Sequence, residues 1–113
     1  MLVANPYWER PEHASAPYGS RSNPACVGGI AGRNPMSTHL YFNRLRGPQG
    51  QTVYYNRVGS CCGFPSPNGL FDGGGMLDLY RVTYAGLAEP VDVYVSFYDP
   101  AALEAPPGFT LER

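Results

Sequence analysis

Arg57-Val58-Gly59-Ser60-Cys61-Cys62-Gly63-Phe64-Pro65-Ser66-Pro67-Asn68-Gly69-Leu70-Phe71-Asp72-Gly73-Gly74-Gly75-Met76-Leu77-Asp78 decides how the chain is read. It carries two of the three cysteines, an Asn-Gly turn, two prolines and a run of three glycines, and it leads into the most strand-like part of the sequence. Proline removes a backbone donor and glycine offers no side chain to pack, so the stretch is predicted to be neither a helix nor an ordinary strand. It is expected as a long ordered loop, pinned by sulfur chemistry or by aromatic packing. The regular elements lie on either side of it.

Downstream, Leu77–Tyr84 has apolar residues at both parities, the pattern of a central strand. Ala85–Pro90 is a connection of hairpin type, and Val91, Val93, Val95 and Phe97 then alternate with Asp92, Tyr94, Ser96 and Tyr98. Asp99-Pro100 stops that strand, and Pro106-Pro107-Gly108-Phe109 closes the domain on one aromatic anchor. Upstream, Thr52–Val58 reads as a strand and Cys26–Ile30 as a short first one. Between them Asn34 offers an N-cap and Pro35 a first helical residue. Met36, Leu40, Tyr41 and Leu45 recur at helical spacing, Arg44 and Arg46 fall in a last turn, and Gly47-Pro48 ends it. The expected architecture is α+β and loop-rich: a small antiparallel sheet of three to five strands, with one amphipathic helix packed on one face. Residues 1–25, with four prolines and no periodicity, are expected as an extended arm or tether, and residues 26–113 as one domain.

Composition narrows the function. The 113 residues include 14 Gly and 12 Pro, yet also nine Tyr, five Phe and one Trp, an aromatic load that disordered chains lack. The net charge is −1 and the eight cations, all Arg, are scattered, so no nucleic-acid partner is expected. With no Lys, Schiff-base catalysis and the usual P-loop chemistry are excluded. No run approaches the apolar length of a transmembrane helix, and Met-Leu-Val-Ala is too short for a leader's apolar region. The sequence is read as a mature chain from which a leader has been trimmed.

The cysteines leave three arrangements open. A bridge from Cys26 to Cys61 or Cys62 would close about 36 residues and contribute about 3–4 kcal/mol. A vicinal Cys61–Cys62 bridge would close almost no loop, and free thiols are the third case. A Cys62–His39 nucleophile–base pair is conceivable, but His39 reads more simply as a surface residue on the helix. Cys26, Cys61, Cys62 and His39 lack the Cys-x-x-Cys spacing of a zinc site, and Asp72, Asp78, Asp92 and Asp99 are assigned to turns and solvated faces. No catalytic set, metal or cofactor is therefore expected. The remaining candidates form an aromatic binding surface: Tyr54, Tyr55, Tyr80, Tyr84, Tyr94, Tyr98, Phe64, Asn68 and Phe71.

Asn23-Pro24, Val27-Gly28-Gly29, Leu45-Arg46-Gly47-Pro48-Gln49-Gly50, Arg57-Val58-Gly59-Ser60-Cys61-Cys62, Pro67-Asn68-Gly69, Leu77-Asp78-Leu79-Tyr80, Tyr94-Val95-Ser96-Phe97-Tyr98-Asp99 and Pro107-Gly108-Phe109 together carry a resemblance. Over roughly residues 23 to 110 the chain resembles a family of small bacterial envelope proteins, often lipoproteins or bearers of Sec signals. Members are often labelled 2-dehydro-3-deoxyphosphooctonate aldolase. The absence of Lys contradicts a Schiff-base aldolase, and 113 residues are too few for the usual barrel. The resemblance implies a periplasmic or outer-membrane-tethered protein, with a lipid anchor possible on the native precursor. Cys26 lies outside the family pattern, which favours the vicinal bridge.

The function expected is a non-enzymatic protein-binding module of the bacterial envelope, in one version an immunity protein against a secreted antibacterial effector. The alternatives are a thiol/disulfide-active protein using Cys61 and Cys62, and a glycan or small-molecule binder using surface tyrosines.

Overall fold

The computed structural model describes residues 1–69 and 72–113. The element order is α1 (Pro11–Ala14), β1 (Ala25–Cys26), α2 (Gly28–Ala31), α3 (Pro35–Phe42), β2 (Leu45–Arg46), β3 (Val53–Pro65), β4 (Gly74–Tyr84), β5 (Val91–Ser96) and β6 (Thr110–Leu111). The fold is α+β. Four strands form one sheet in the order β1-β5-β4-β3, and β2 pairs with β6 in a second.

The central strands follow directly from their sequences. In β5, Val93 and Val95 are fully buried; in β4, Leu77, Tyr80 and Val82 are buried, as a strand flanked on both edges requires. The sheet is not wholly antiparallel, however: β1 runs parallel to β5, with Ala25 opposite Val95 and Cys26 opposite Ser96. This pairing buries Ser96, which alternation alone assigned to solvent. It also cuts the first strand short. Val27 and Gly28 donate to the carbonyls of Ser96 and Asp99, and the chain turns into α2 instead of continuing to Ile30.

The largest departure is in the cysteine stretch. It is no loop: β3 runs unbroken from Val53 through both cysteines to Pro65, paired with β4 along its length. Two register shifts, between Arg57 and Gly59 and between Cys61 and Gly63, absorb the irregular residues as β-bulges. Only 66–73 connects the two strands. Glycine has a positive use here. A Cβ on Gly75 would come within 2.8 Å of the Tyr98 ring and 2.9 Å of Phe64, so the bare backbone is what lets both rings lie against β4.

Helix α3 starts as its sequence demands, with the Asn34 side chain accepting from the Met36 amide and Pro35 in the first turn. It ends at Phe42, one turn before the expected stop, because Leu45–Arg46 is recruited to pair with Thr110–Leu111. Its buried residues are Ser37, Thr38, Tyr41 and Phe42, while Met36 is exposed, so the expected apolar stripe packs at its Tyr41 and Leu45 end and not at Met36. Tyr41, Phe42 and Leu45 join Val53, Tyr80, Val82, Val93, Val95 and Phe109 in the core. The Tyr41 hydroxyl donates to the Glu104 carbonyl at 2.8 Å, which satisfies the one polar atom this ring takes inside.

The N-terminal segment folds back on the body. Asn5 is buried, and the Trp8 ring packs on Phe64 at 5.0 Å between centroids. Both reach Asp99, which is 1% exposed and is not the solvated turn residue its sequence context suggested. Asn5 Nδ2 and Trp8 Nε1 donate to its Oδ2 at 2.8 and 2.9 Å; Ser66 Oγ and Asn68 Nδ2 donate to Oδ1 at 2.5 and 3.0 Å. Four neutral donors thus hold one buried carboxylate and tie the chain start to the β3–β4 connection.

Candidate functional site

The bulge after Arg57 builds the site. In an unbroken strand Tyr55, Arg57 and Gly59 would share a face. The one extra residue puts Ser60 there instead, and the register sets Tyr55 opposite Val82, Arg57 opposite Tyr80 and Ser60 opposite Asp78. Helix α3 lies over the same face: Phe42 stacks on Tyr55 at 4.6 Å and packs on Tyr80 at 4.9 Å. Where the helix ends, the sheet is left uncovered, and an open groove of about 590 Å³ remains.

Its walls are Tyr55, Tyr80, Phe97 and Tyr98 with Pro35 and Met76; its polar groups are His39, Asn56, Arg57, Ser60 and Asp78. Phe97 and Tyr98 stack at 4.8 Å. His39 Nδ1 is in hydrogen-bond contact with the Tyr55 hydroxyl at 3.1 Å. Arg57 Nη2 donates to Asp78 Oδ1 at 2.9 Å and to Ser60 Oγ at 2.7 Å. Asp78 is 8% exposed, and is therefore a buried strand residue in an ion pair and not a solvated one. The Arg57 side chain is 50% exposed and keeps donors directed to solvent. Burial raises the Tyr80 hydroxyl above the usual phenol range, helped by the Asp78 carboxylate, and burial raises Tyr55 likewise. Both phenols are neutral hydrogen-bonding groups in the groove.

Of the residues expected to form a binding surface, the structure brings Tyr55, Tyr80 and Tyr98 together in this groove. Tyr54 is 62% exposed, and it alternates with Val53 and Tyr55 onto the opposite face of the sheet. Tyr94, opposite Leu79, is on that face too. Tyr84 packs edge-on against Phe109, away from the groove. Phe64 and Asn68 are buried, the first against Trp8 and Tyr98, the second in the Asp99 network, so neither belongs to a solvent-facing surface. Phe71 lies outside the described residues. Arg57, Asp78, His39 and Phe97 complete the groove; only the strand register, which no local pattern encodes, could have grouped them.

The sulfurs separate. Cys61 and Cys62 form a vicinal disulfide, and Cys26 is free and buried, so the long bridge from Cys26 is not formed. Burial pushes the Cys26 thiol up to about 12, with the nearby Asp99 carboxylate adding to the effect, and this thiol is protonated and inert at neutral pH. His39 lines the groove while Cys62 lines a different cavity beside His13, so the Cys62–His39 pair is not assembled. Among the described residues, no three His, Cys, Asp or Glu side chains gather as a metal site. None of the described helices is long and apolar enough to cross a membrane.

No family model matches the chain, and neither a curated protein nor a solved structure is significantly similar to it.

Proposed function

We propose that the protein is a non-enzymatic binding module whose groove takes a segment of a protein partner. The observation that carries this reading is the groove itself. Four aromatic rings sit around one half-exposed arginine whose position is fixed by a nearly buried aspartate. Tyr and Arg are the residue types that dominate binding energy in protein interfaces, and a prepositioned guanidinium loses little entropy when it meets an acceptor. The partner segment that suits the site carries an aromatic or aliphatic anchor for the Tyr80–Tyr98 wall and a carboxylate or carbonyl for the free donors of Arg57. The sequence resemblance supports a bacterial envelope setting, periplasmic or tethered to the outer membrane. In its narrowest version the partner is a secreted antibacterial effector and the protein its immunity factor.

The test is affinity capture from the native envelope with the wild-type chain and with Tyr98→Ala and Arg57→Ala, followed by titration of the captured protein. One partner binding the wild type at nanomolar affinity, and each variant at least about tenfold more weakly, is expected for groove residues of this kind. Capture of nothing, or equal binding by both variants, contradicts the reading. A thermal-shift screen against envelope sugars separates it from a glycan-binding role, in which the sugar alone would stabilise the chain.

A further inference from the structure

A disulfide stabilises a fold chiefly by closing a loop in the unfolded chain, and the bridge between Cys61 and Cys62 closes none. One of its two residues, Cys62, lies at φ 61, a region that L side chains rarely adopt. Both cysteines are half-buried, not enclosed, and they sit on β3, the edge strand of the sheet. A bond that adds little stability, sits at a strained bulge residue and lies on an edge strand is suited to being opened.

The two sulfurs are not equivalent. Cys62 is the extra residue of the second bulge and lines a cavity of about 150 Å³ together with Tyr7, Trp8, His13 and Arg21. His13 Nδ1 lies 2.7 Å from the Ser22 carbonyl, which can only accept, so the ring donates there and is oriented by that bond. Arg21 supplies a permanent positive charge at the same cavity. Cys61, the register partner of Leu77, does not line this cavity.

We propose that the Cys61–Cys62 pair is a thiol–disulfide exchange centre that accepts two electrons from a protein dithiol, Cys61 being the sulfur attacked and Cys62 the sulfur that leaves. One donor thiolate attacks Cys61 Sγ in line with the S–S bond. A donor–Cys61 bond forms, the Cys61–Cys62 bond breaks, and its electron pair leaves on Cys62, whose thiolate is stabilised beside the Arg21 charge. The second donor thiol then attacks the donor's own sulfur in the mixed disulfide and expels Cys61. The donor leaves as a disulfide, the chain holds two thiols, and the two donor protons pass to Cys61 and Cys62. The exchange is stoichiometric, one bond per chain, and does not depend on the groove reading. Cys26 takes no part, because it is buried and held protonated.

The test uses the full oxidised chain, dithiothreitol as the dithiol and reduced glutathione as a monothiol probe. With dithiothreitol under native conditions, alkylation and mass spectrometry are expected to show both Cys61 and Cys62 modified while circular dichroism stays folded. A bond that opens only when the chain is unfolded overturns the proposal. After a brief pulse of glutathione and rapid alkylation, the glutathione adduct is expected on Cys61 and the alkyl group on Cys62; the reverse placement overturns the assignment of roles. Arg21→Gln, a change at an exposed residue that leaves the fold intact, is expected to slow opening about three- to tenfold by raising the leaving thiol's pKa. An unchanged rate removes Arg21 from the mechanism.

Discussion

Asp99 and Asp78 are both carboxylates in the interior of one small fold, and their surroundings give them opposite uses. Asp99 accepts from four neutral donors contributed by two separate parts of the chain, and nothing around it is left over. Asp78 accepts from one arginine and one serine, and that arginine keeps donors in solvent. A closed set of hydrogen bonds holds a structure together. A set that ends on an open cation offers something to a partner. The contrast predicts that stability and binding separate at these two positions.

The largest expected effect on stability is at the closed set. Asp99→Ala leaves the Asn5, Trp8, Ser66 and Asn68 donors without their acceptor, and chemical denaturation is expected to show a loss of about 3 kcal/mol. Binding per folded molecule should be unchanged. A cost below about 1 kcal/mol would mean that water replaces the carboxylate and that the set is not closed. At the open set the balance reverses. Arg57→Ala is expected to cost about 1 kcal/mol of stability or less, because the ion pair is half in solvent. Its partner affinity should nevertheless fall at least about tenfold. Comparable losses of stability at the two positions would erase the distinction.

How far the sequence foretold these regions follows from where their information lies. Strands β4 and β5 and the start of α3 were legible, because alternation, an N-cap and a proline act on neighbours in the chain. The path of β3 was not. Its glycines, proline and paired cysteines look like a loop until β4 supplies a ladder that tolerates two bulges. The rings of Tyr55, Tyr80 and Tyr98 could be named as candidates from residue type alone. Their grouping with Arg57 and Asp78, and the exclusion of Tyr54 and Tyr94, depends on a register set by one extra residue. The Asp99 network was hidden more deeply still, since Asn5 and Trp8 come from more than ninety residues away.

A smaller effect tests the interior by pH. Cys26 has an ordinary value of 9.0 and is pushed to about 12 in the fold by burial and then by Asp99. The unfolded chain loses this proton first, so the contribution is complete below pH 9 and is lost as pH rises toward 12. Tyr18, raised to about 12 mainly by burial, adds a loss of the same sign above its ordinary value of 10.0. Cys26→Ala is expected to remove about 1 kcal/mol of the decline between pH 9 and 10, read as a shallower slope of unfolding free energy against pH. An unchanged slope would place Cys26 in contact with water. The smallest effect belongs to Arg81 and Asp92, an exposed pair at 3.3 Å on the face opposite the groove. Arg81→Ala should change stability by less than about 0.5 kcal/mol and leave binding untouched; weakened binding would move the interface to that face.

The central claim is that the groove face, and not the opposite face of the sheet, meets the partner. Photo-crosslinking from a single reactive side chain placed at Met76 in the groove, or at Tyr94 on the other face, tests it most directly. A discrete adduct from position 76 that disappears with Arg57→Ala, and none from position 94, is the expected result. An adduct from position 94 alone, or equal adducts from both that survive Arg57→Ala, would contradict it.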